Sequence, residues 1–600
     1  MKKILLSITF ALMGIASGFA AKAHTALTTI TQSDGSQLTI RLHGDEHFSW
    51  YSTADNVLLV QVGNNYYVAQ VEEDGTLKAT PQLAHNAGER GTVEEQVINN
   101  QNKEKFLNSL NAEPQALAKP IGTVTPAYFP HTGSPKALVI LVEFQDVKFK
   151  TSDPVATFTH YLKGADGEAA PEANNAYVTK GMVNYGSVSQ YFKDMSQGQF
   201  KPQFDIVGPV TVSKNSAYYG GNTGRTDANF AKMIAEACKG VSDKVNFADY
   251  DLNNDGYVDL VYVIYAGYSE SINGNSSDCL WPKSGTNAFY EPGTNNLLKL
   301  NGKRICRYGI NNELNGTPKN WIEGKPLLNG IGLFCHEFSH TMGLPDLYPT
   351  VETSRVDNQN PEYWDLMDGG EYTYSGYFPT PYSPWEMEVM GWTTPVELGD
   401  EAKQVNLNSY ASDRTTYKIN GKNDEYLLIQ NIQTDGWWRG ITKAYNTGML
   451  VWRIDYPYTT VSLDNRLNNE IGKPNVMIVP ADGYVISAYN VTDDDESKAK
   501  YKASLKADPF PGANNVPELL SVKLNKSTLK KPFYNIKETN GVITFDYLKD
   551  YATGIDQTLA DKDTEKNQSI FSLDGRYLGN DASKLTKGIY IIGKKKVVIK

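Results

Sequence analysis

The string His336-Glu-Phe-Ser-His-Thr-Met-Gly-Leu-Pro-Asp346 restricts this chain more than any other stretch. Around it Ile331, Phe334, Cys335, Phe338 and Met342 recur at three- and four-residue steps, which is the period of an apolar helix face. His336 and His340 stand one turn apart on that helix and point the same way, so both imidazoles can reach one zinc ion. Glu337 is the residue able to take a proton from a metal-activated water. Gly343 can adopt the left-handed conformation that ends a helix, and Pro345 prevents its continuation. The chain must turn at this point, which carries Asp346 back toward the metal.

A census of histidines narrows the ligand set. The eight are His24, His43, His47, His85, His131, His160, His336 and His340. None follows His340, so a third histidine ligand downstream is ruled out. Asp346 occupies that slot, and a carboxylate is a competent zinc ligand; Glu352 and Glu371 are the competing third ligands. The census also leaves no downstream histidine to stabilise a tetrahedral oxyanion, so a phenol, a guanidinium or the metal must do so. Tyr372 and Tyr374 are candidates, with Tyr377 behind them. They follow Trp364-Asp-Leu-Met-Asp-Gly-Gly370, in which Met367 is suitably placed for a methionine turn beneath the metal.

A second motif runs from Asp249 to Asp259. Asp251, Asn253 and Asp255 fall at positions one, three and five of a calcium loop, with Gly256 at the tight turn. Tyr257 would give its backbone carbonyl, Asp259 sits at position nine, and Asp249 can complete the set. Tyr262 stands where an EF-hand has its bidentate Glu, so the reading is structural Ca2+ in a loop without an EF-hand frame.

At 600 residues the chain is too long for one hydrophobic core. A net charge of −11 speaks against nucleic acid as the main partner. Lys2 and Lys3 followed by the apolar run Ile4 to Phe19 and small residues read as a signal peptide. No later stretch has the roughly 18 uninterrupted apolar residues of a spanning helix, so a secreted protein, free or at the cell surface, is expected. Cys238, Cys279, Cys306 and Cys335 are too few for a disulfide scaffold; Cys279 with Cys306 would make a loop staple.

The fold class expected is multidomain α+β. Residues 1–20 are the signal peptide, and 21–118 are a β-rich module in the position of a pro-segment, with a stable accessory domain as the alternative. Alternating helices and strands over 119–395 indicate a mixed-sheet catalytic domain with an active-site helix. Strand-and-turn texture over 396–550 suggests a β-sandwich, and 551–600 a small β tail. A substrate peptide is expected to pair with an exposed strand edge such as Val261 to Ala266.

On HEFSHTMGLPDLY at 336–348, YWDLMDGG at 363–370, YSPWEMEVMGW at 382–392, YDLNNDGYVDLVYVIYAG at 250–267 and VSQYFKDMSQGQF at 188–200, the chain resembles the immune inhibitor A family of secreted bacterial zinc metallopeptidases. The resemblance covers essentially 135–395. It implies a zincin catalytic domain, one catalytic Zn2+ with structural Ca2+, and hydrolysis of peptide bonds in protein substrates after synthesis as a zymogen. It makes His336, His340 and Asp346 ligands, Glu337 the base and Met367 the turn methionine. Cys335 departs from the small residue usual before the first ligand. The closing GIYIIGKKKVVIK is similar to small β tails of secreted Bacteroidetes proteins, which are often read by the type IX secretion machinery.

Overall fold

The apolar run at 137–144 forms the strand Lys136–Glu143, buried from Ala137 to Val142. A strand buried on both faces belongs inside a largely parallel sheet covered by helices. In the computed structural model it lies between Gln203–Thr211 and Val261–Tyr265, parallel to both. Val261–Tyr265 is parallel in turn to Arg307–Asn312. Beyond it Lys283–Thr286 reverses direction and pairs antiparallel with Arg307–Asn312. Ser17–Phe19 pairs antiparallel with the outer side of that strand. The residues described are 17–19, 23, 26–45, 48–111, 129–164, 184–222, 227–272, 274–320, 326–456, 467–492, 494–551, 569–573, 576–579, 584–592 and 595–599. Apart from Ser17–Phe19, the expected signal peptide lies outside them, as do residues 112–128.

The exposed edge expected at 261–266 is not found. Val261–Tyr265 is interior to the sheet, because an unbroken run of Val, Tyr and Ile has two faces to bury. Val139, Leu141, Tyr262 and Ile264 pack against the helices Val188–Met195 and Ile331–Thr341. Leu138, Ile140, Val142, Val261 and Val263 pack against the helix Phe230–Gly240.

Residues 28–83 form a six-stranded antiparallel meander in chain order. The polar stretch after it contains two helices, Thr92–Asn99 and Lys103–Asn111, whose few apolar residues include the fully buried Phe106. Trp281, just before the antiparallel strand of the central sheet, is buried in the core of this module with Tyr51, Leu59 and Tyr66.

Two sheets pack face to face in the region after residue 396. Leu427, Ile429, Met449 and Val451 share a core with Val405, Leu407, Phe533 and Phe545 from a second sheet. Their alternate neighbours Leu428, Leu450 and Trp452 join the core around the active-site helix. One sheet of the sandwich is therefore buried on both faces, and the packing is continuous across 395/396. Residues Met1–Lys549 form one compact unit and Asp550–Lys600 a second. The second holds a four-stranded antiparallel sheet made of Ile570–Ser572, Tyr577–Gly579, Gly588–Ile592 and Lys595–Ile599. All four cysteines are free, so the Cys279–Cys306 staple is not formed.

The amino-terminal module docks through a charged seam. Arg41 donates to the carbonyls of Tyr489 and Val491. Arg355 pairs with Glu352 and lies 3.7 Å from Asp45. His43 stacks on Trp50 beside this seam, and burial, with Arg41 and Arg355, pushes its imidazole down to about 3. In the unfolded chain the ring takes a proton near 6.5, so acidification favours unfolding from that pH downward. Between pH 7 and pH 5 this amounts to about 2 kcal/mol. Wild-type protein should therefore lose more melting temperature over that interval than His43→Gln; equal losses would remove this assignment.

Candidate metal centre

The helix Ile331–Thr341 is buried along its entire length. Phe334 lies against Tyr262 with ring centroids 4.2 Å apart, and Phe338 is surrounded by Phe129, Phe192 and Phe204. These rings fix the helix under the sheet. On another side Gly332 meets the segment 369–376, where a Cβ would stand 2.1 Å from the Glu371 carbonyl oxygen. Only a glycine permits that approach.

The helix ends as its sequence dictates. Gly343 has φ +102°, its N–H donates to the His340 carbonyl, and the Leu344 N–H donates to the Ser339 carbonyl. This pair of bonds is the Schellman arrangement. It turns the chain so that Asp346 returns to the histidines. His336 Nε2 and His340 Nε2 are 3.2 Å apart, and Asp346 Oδ1 lies 3.2 and 3.3 Å from them. All three side chains are buried.

The outer nitrogens settle the tautomers. His336 Nδ1 faces the Leu366 carbonyl at 3.1 Å and His340 Nδ1 the Leu344 carbonyl at 2.7 Å. A carbonyl only accepts, so each Nδ1 carries a proton, and in its neutral form each ring turns a lone pair inward. Two lone pairs and a carboxylate oxygen converging in a dry space call for a cation or an added proton. Tetrahedral zinc with bonds of about 2.0–2.1 Å sets neighbouring donors about 3.3 Å apart, which is the spacing seen. The donor set fits zinc.

Charge around the trio is consistent with that fit. Burial would lower His336, but the carboxylates of Glu371, Asp346 and Glu337 raise it well above its ordinary value. Burial would raise Asp346, but His340 and His336 hold it below the usual carboxylate range. Glu337 is buried beside the trio.

The competing ligands fall elsewhere. Glu371 Oε2 is 3.9 Å from His336 Nδ1, on the outer side of the ring, and Glu352 is bound to Arg355. Met367 is buried in the same core, and its carbonyl accepts the Leu347 N–H at 2.8 Å, next to Asp346. Tyr372 is brought close to Glu371 and Glu337, and burial with these charges raises its phenol. Tyr374 is not; its ring lies against Phe378. Tyr377 donates to the Leu328 carbonyl instead.

The chain matches the immune inhibitor A peptidase M6 catalytic domain over residues 129–392. These residues form a peptidase M6 domain. The domain type is that of a peptide hydrolase. Among curated proteins, the pre-pro-metalloprotease PrtV of Vibrio cholerae serotype O1 is 24% identical over 281 residues, 42% of this chain and 29% of that relative. Immune inhibitor A of Bacillus thuringiensis subsp. alesti is 23% identical over 317 residues, 47% of this chain and 44% of that relative. The chain thus spans less than half the length of these relatives.

In the M6 domain Asp251, Asp255 and Asp259 bring carboxylate oxygens within 4.8 Å of one another. Asn253 Oδ1 accepts the Asp255 N–H at 3.0 Å, and Asn254 and Gly256 take positive φ to close the loop. Asp249 stands apart, accepting from Asn246 at 2.8 Å, and Tyr257 contributes its N–H to Asp255. Lys303 binds Asp251, and Arg307 binds both Asp255 and Asp259. Sequence spacing could not reveal these cations, which lie about fifty residues downstream.

The close approach at Gly332 gives a direct test of the M6 site. Gly332→Ala should displace the 369–376 segment at about 1–3 kcal/mol and lower zinc content well below one per chain by metal analysis. Full zinc content with unchanged stability would contradict the packing described.

Proposed function

We propose that this chain is a secreted zinc endopeptidase in which His336, His340 and Asp346 hold the metal and Glu337 is the general base. The observation that carries the proposal is the convergence of two imidazole lone pairs and one carboxylate oxygen at 3.2–3.3 Å in a buried pocket. Zinc, when bound, supplies Lewis acidity to water and to a scissile carbonyl. The Glu337 carboxylate takes the proton released by the attacking water and returns it to the leaving amine. Tyr372 is the better placed of the two tyrosine candidates to donate to the developing oxyanion.

The substrate lies extended along Lys283–Thr286, the antiparallel strand beside the active-site helix, with main-chain hydrogen bonds holding it. Burial of Trp281 in the amino-terminal module supports synthesis as a zymogen with 21–118 as its pro-segment. Calcium binds at Asp251, Asn253, Asp255 and Asp259 and steadies the turn into Val261–Tyr265. Lys303 and Arg307 compete for the same carboxylates, so its affinity is weaker than that of an EF-hand. The terminal β unit is proposed to serve export.

Casein hydrolysis tests this reading. Processed protein should cleave casein, and both a zinc chelator and Glu337→Gln should reduce the rate by at least a thousandfold, with zinc content kept in the mutant. Equal activity in Glu337→Gln would refute the mechanism. Millimolar calcium should raise the melting temperature of wild type and leave that of Asp259→Asn unmoved; an equal rise in both would remove the calcium assignment.

A further inference from the structure

Two buried carboxyl groups beneath the metal centre are not used by the mechanism above. Asp365 and Glu386 are both fully buried. The Ser383 N–H points at each of them, 3.3 Å from Asp365 Oδ2 and 2.7 Å from Glu386 Oε2, the Ser383 hydroxyl donates to Glu386 Oε2 at 3.0 Å, and Glu386 Oε1 is buried without a hydrogen-bond partner. Carboxylates only accept, so two of them converging on one N–H can bond to each other only with a proton on one. Two adjacent negative charges without water are unfavourable, and one shared proton removes the conflict.

Asp365 begins the methionine turn. Its Oδ1 accepts the Met367 N–H at 2.7 Å and its carbonyl accepts the Gly370 N–H at 2.8 Å. Between these bonds the Leu366 carbonyl faces His336 Nδ1, and the Met367 carbonyl holds the Leu347 N–H beside Asp346. The turn therefore touches His336 and the residue next to Asp346 through its backbone. We propose that Asp365 and Glu386 share one proton and that this pair is the positioning element that keeps the Leu366 carbonyl on His336. The pair acts through the turn and touches no substrate. This inference rests on the zinc reading of the trio.

Burial raises both groups, Asp365 to about 6 and Glu386 well above the carboxylate range, with Glu386 raised further by Asp365. The groups facing them are Asp368 on the same loop, Tyr191 from the helix Val188–Met195 and Tyr382 from the segment before Ser383. Each of these would gain negative charge on ionising. Loss of the shared proton at alkaline pH then leaves two carboxylates in one dry site and loosens the turn.

The test is zinc release from the full zinc-loaded chain into excess chromophoric chelator, from pH 6.5 to 9.5, with kcat and KM on a peptide alongside. Wild type should release zinc at least tenfold faster at the alkaline end, with kcat falling and KM steady. Glu386→Gln keeps an N–H donor that cannot ionise, so its release should vary less than threefold over the range. Glu386→Ala should release zinc at least tenfold faster throughout. Should the alanine variant fail to fold, the pH profile of the glutamine variant still decides. The same alkaline acceleration in Glu386→Gln as in wild type, or wild-type retention in a folded Glu386→Ala, would overturn the proposal. Release is read without turnover, so a chain that holds zinc and cleaves nothing still tests the pair. A working peptidase whose zinc release ignores Glu386 would lose only the pair.

Discussion

Three inward-facing donors in a buried space are an electrostatic problem that the rest of the structure is arranged to keep. His336, His340 and Asp346 set two lone pairs and a carboxylate oxygen within 3.3 Å of each other. Without a cation or an added proton that cluster would fly apart or rotate outward. It cannot rotate, because the Leu366 and Leu344 carbonyls hold the outer nitrogens. The geometry of the trio is thus stored in backbone positions.

Those backbone positions trace to a few sequence decisions. Gly343 permits the turn that returns Asp346, and Gly332 permits the 369–376 segment to rest on the helix. Aromatic packing of Phe334 and Phe338 seats the helix under the sheet. The turn at 365–370 then joins the helix to the Asp346 loop from below. Each contact limits one degree of freedom of the ligands, which is how a site of this kind holds its geometry on a rigid support.

Much of this was legible in sequence because it is local. The histidine spacing, the helix stop and the place of Asp346 all lie within one string of residues. The central strand Lys136–Glu143 was legible for the same reason, as an unbroken apolar run. What failed was non-local. Nothing in Val261–Tyr265 says that strands will cover both its edges, and nothing in Lys283–Thr286 marks it as the antiparallel strand. The helices at 92–111 were hidden by polar composition, since the single buried Phe106 carries little periodic signal. Lys303 and Arg307 reach the acidic loop from another strand. Tyr372 and Tyr374 look equivalent in sequence, and only the backbone between them, with Tyr374 at φ +50°, separates their environments.

The central claim is that two imidazole nitrogens and one aspartate oxygen form a zinc site on this chain. X-ray absorption at the zinc edge on the purified full-length protein tests it most directly. The account predicts one zinc per chain with a first shell of nitrogen and oxygen only, two of the nitrogens showing the outer scattering of imidazole rings, and loss of that spectrum in His340→Ala. A sulfur neighbour, a single imidazole, or a spectrum unchanged by His340→Ala would contradict it.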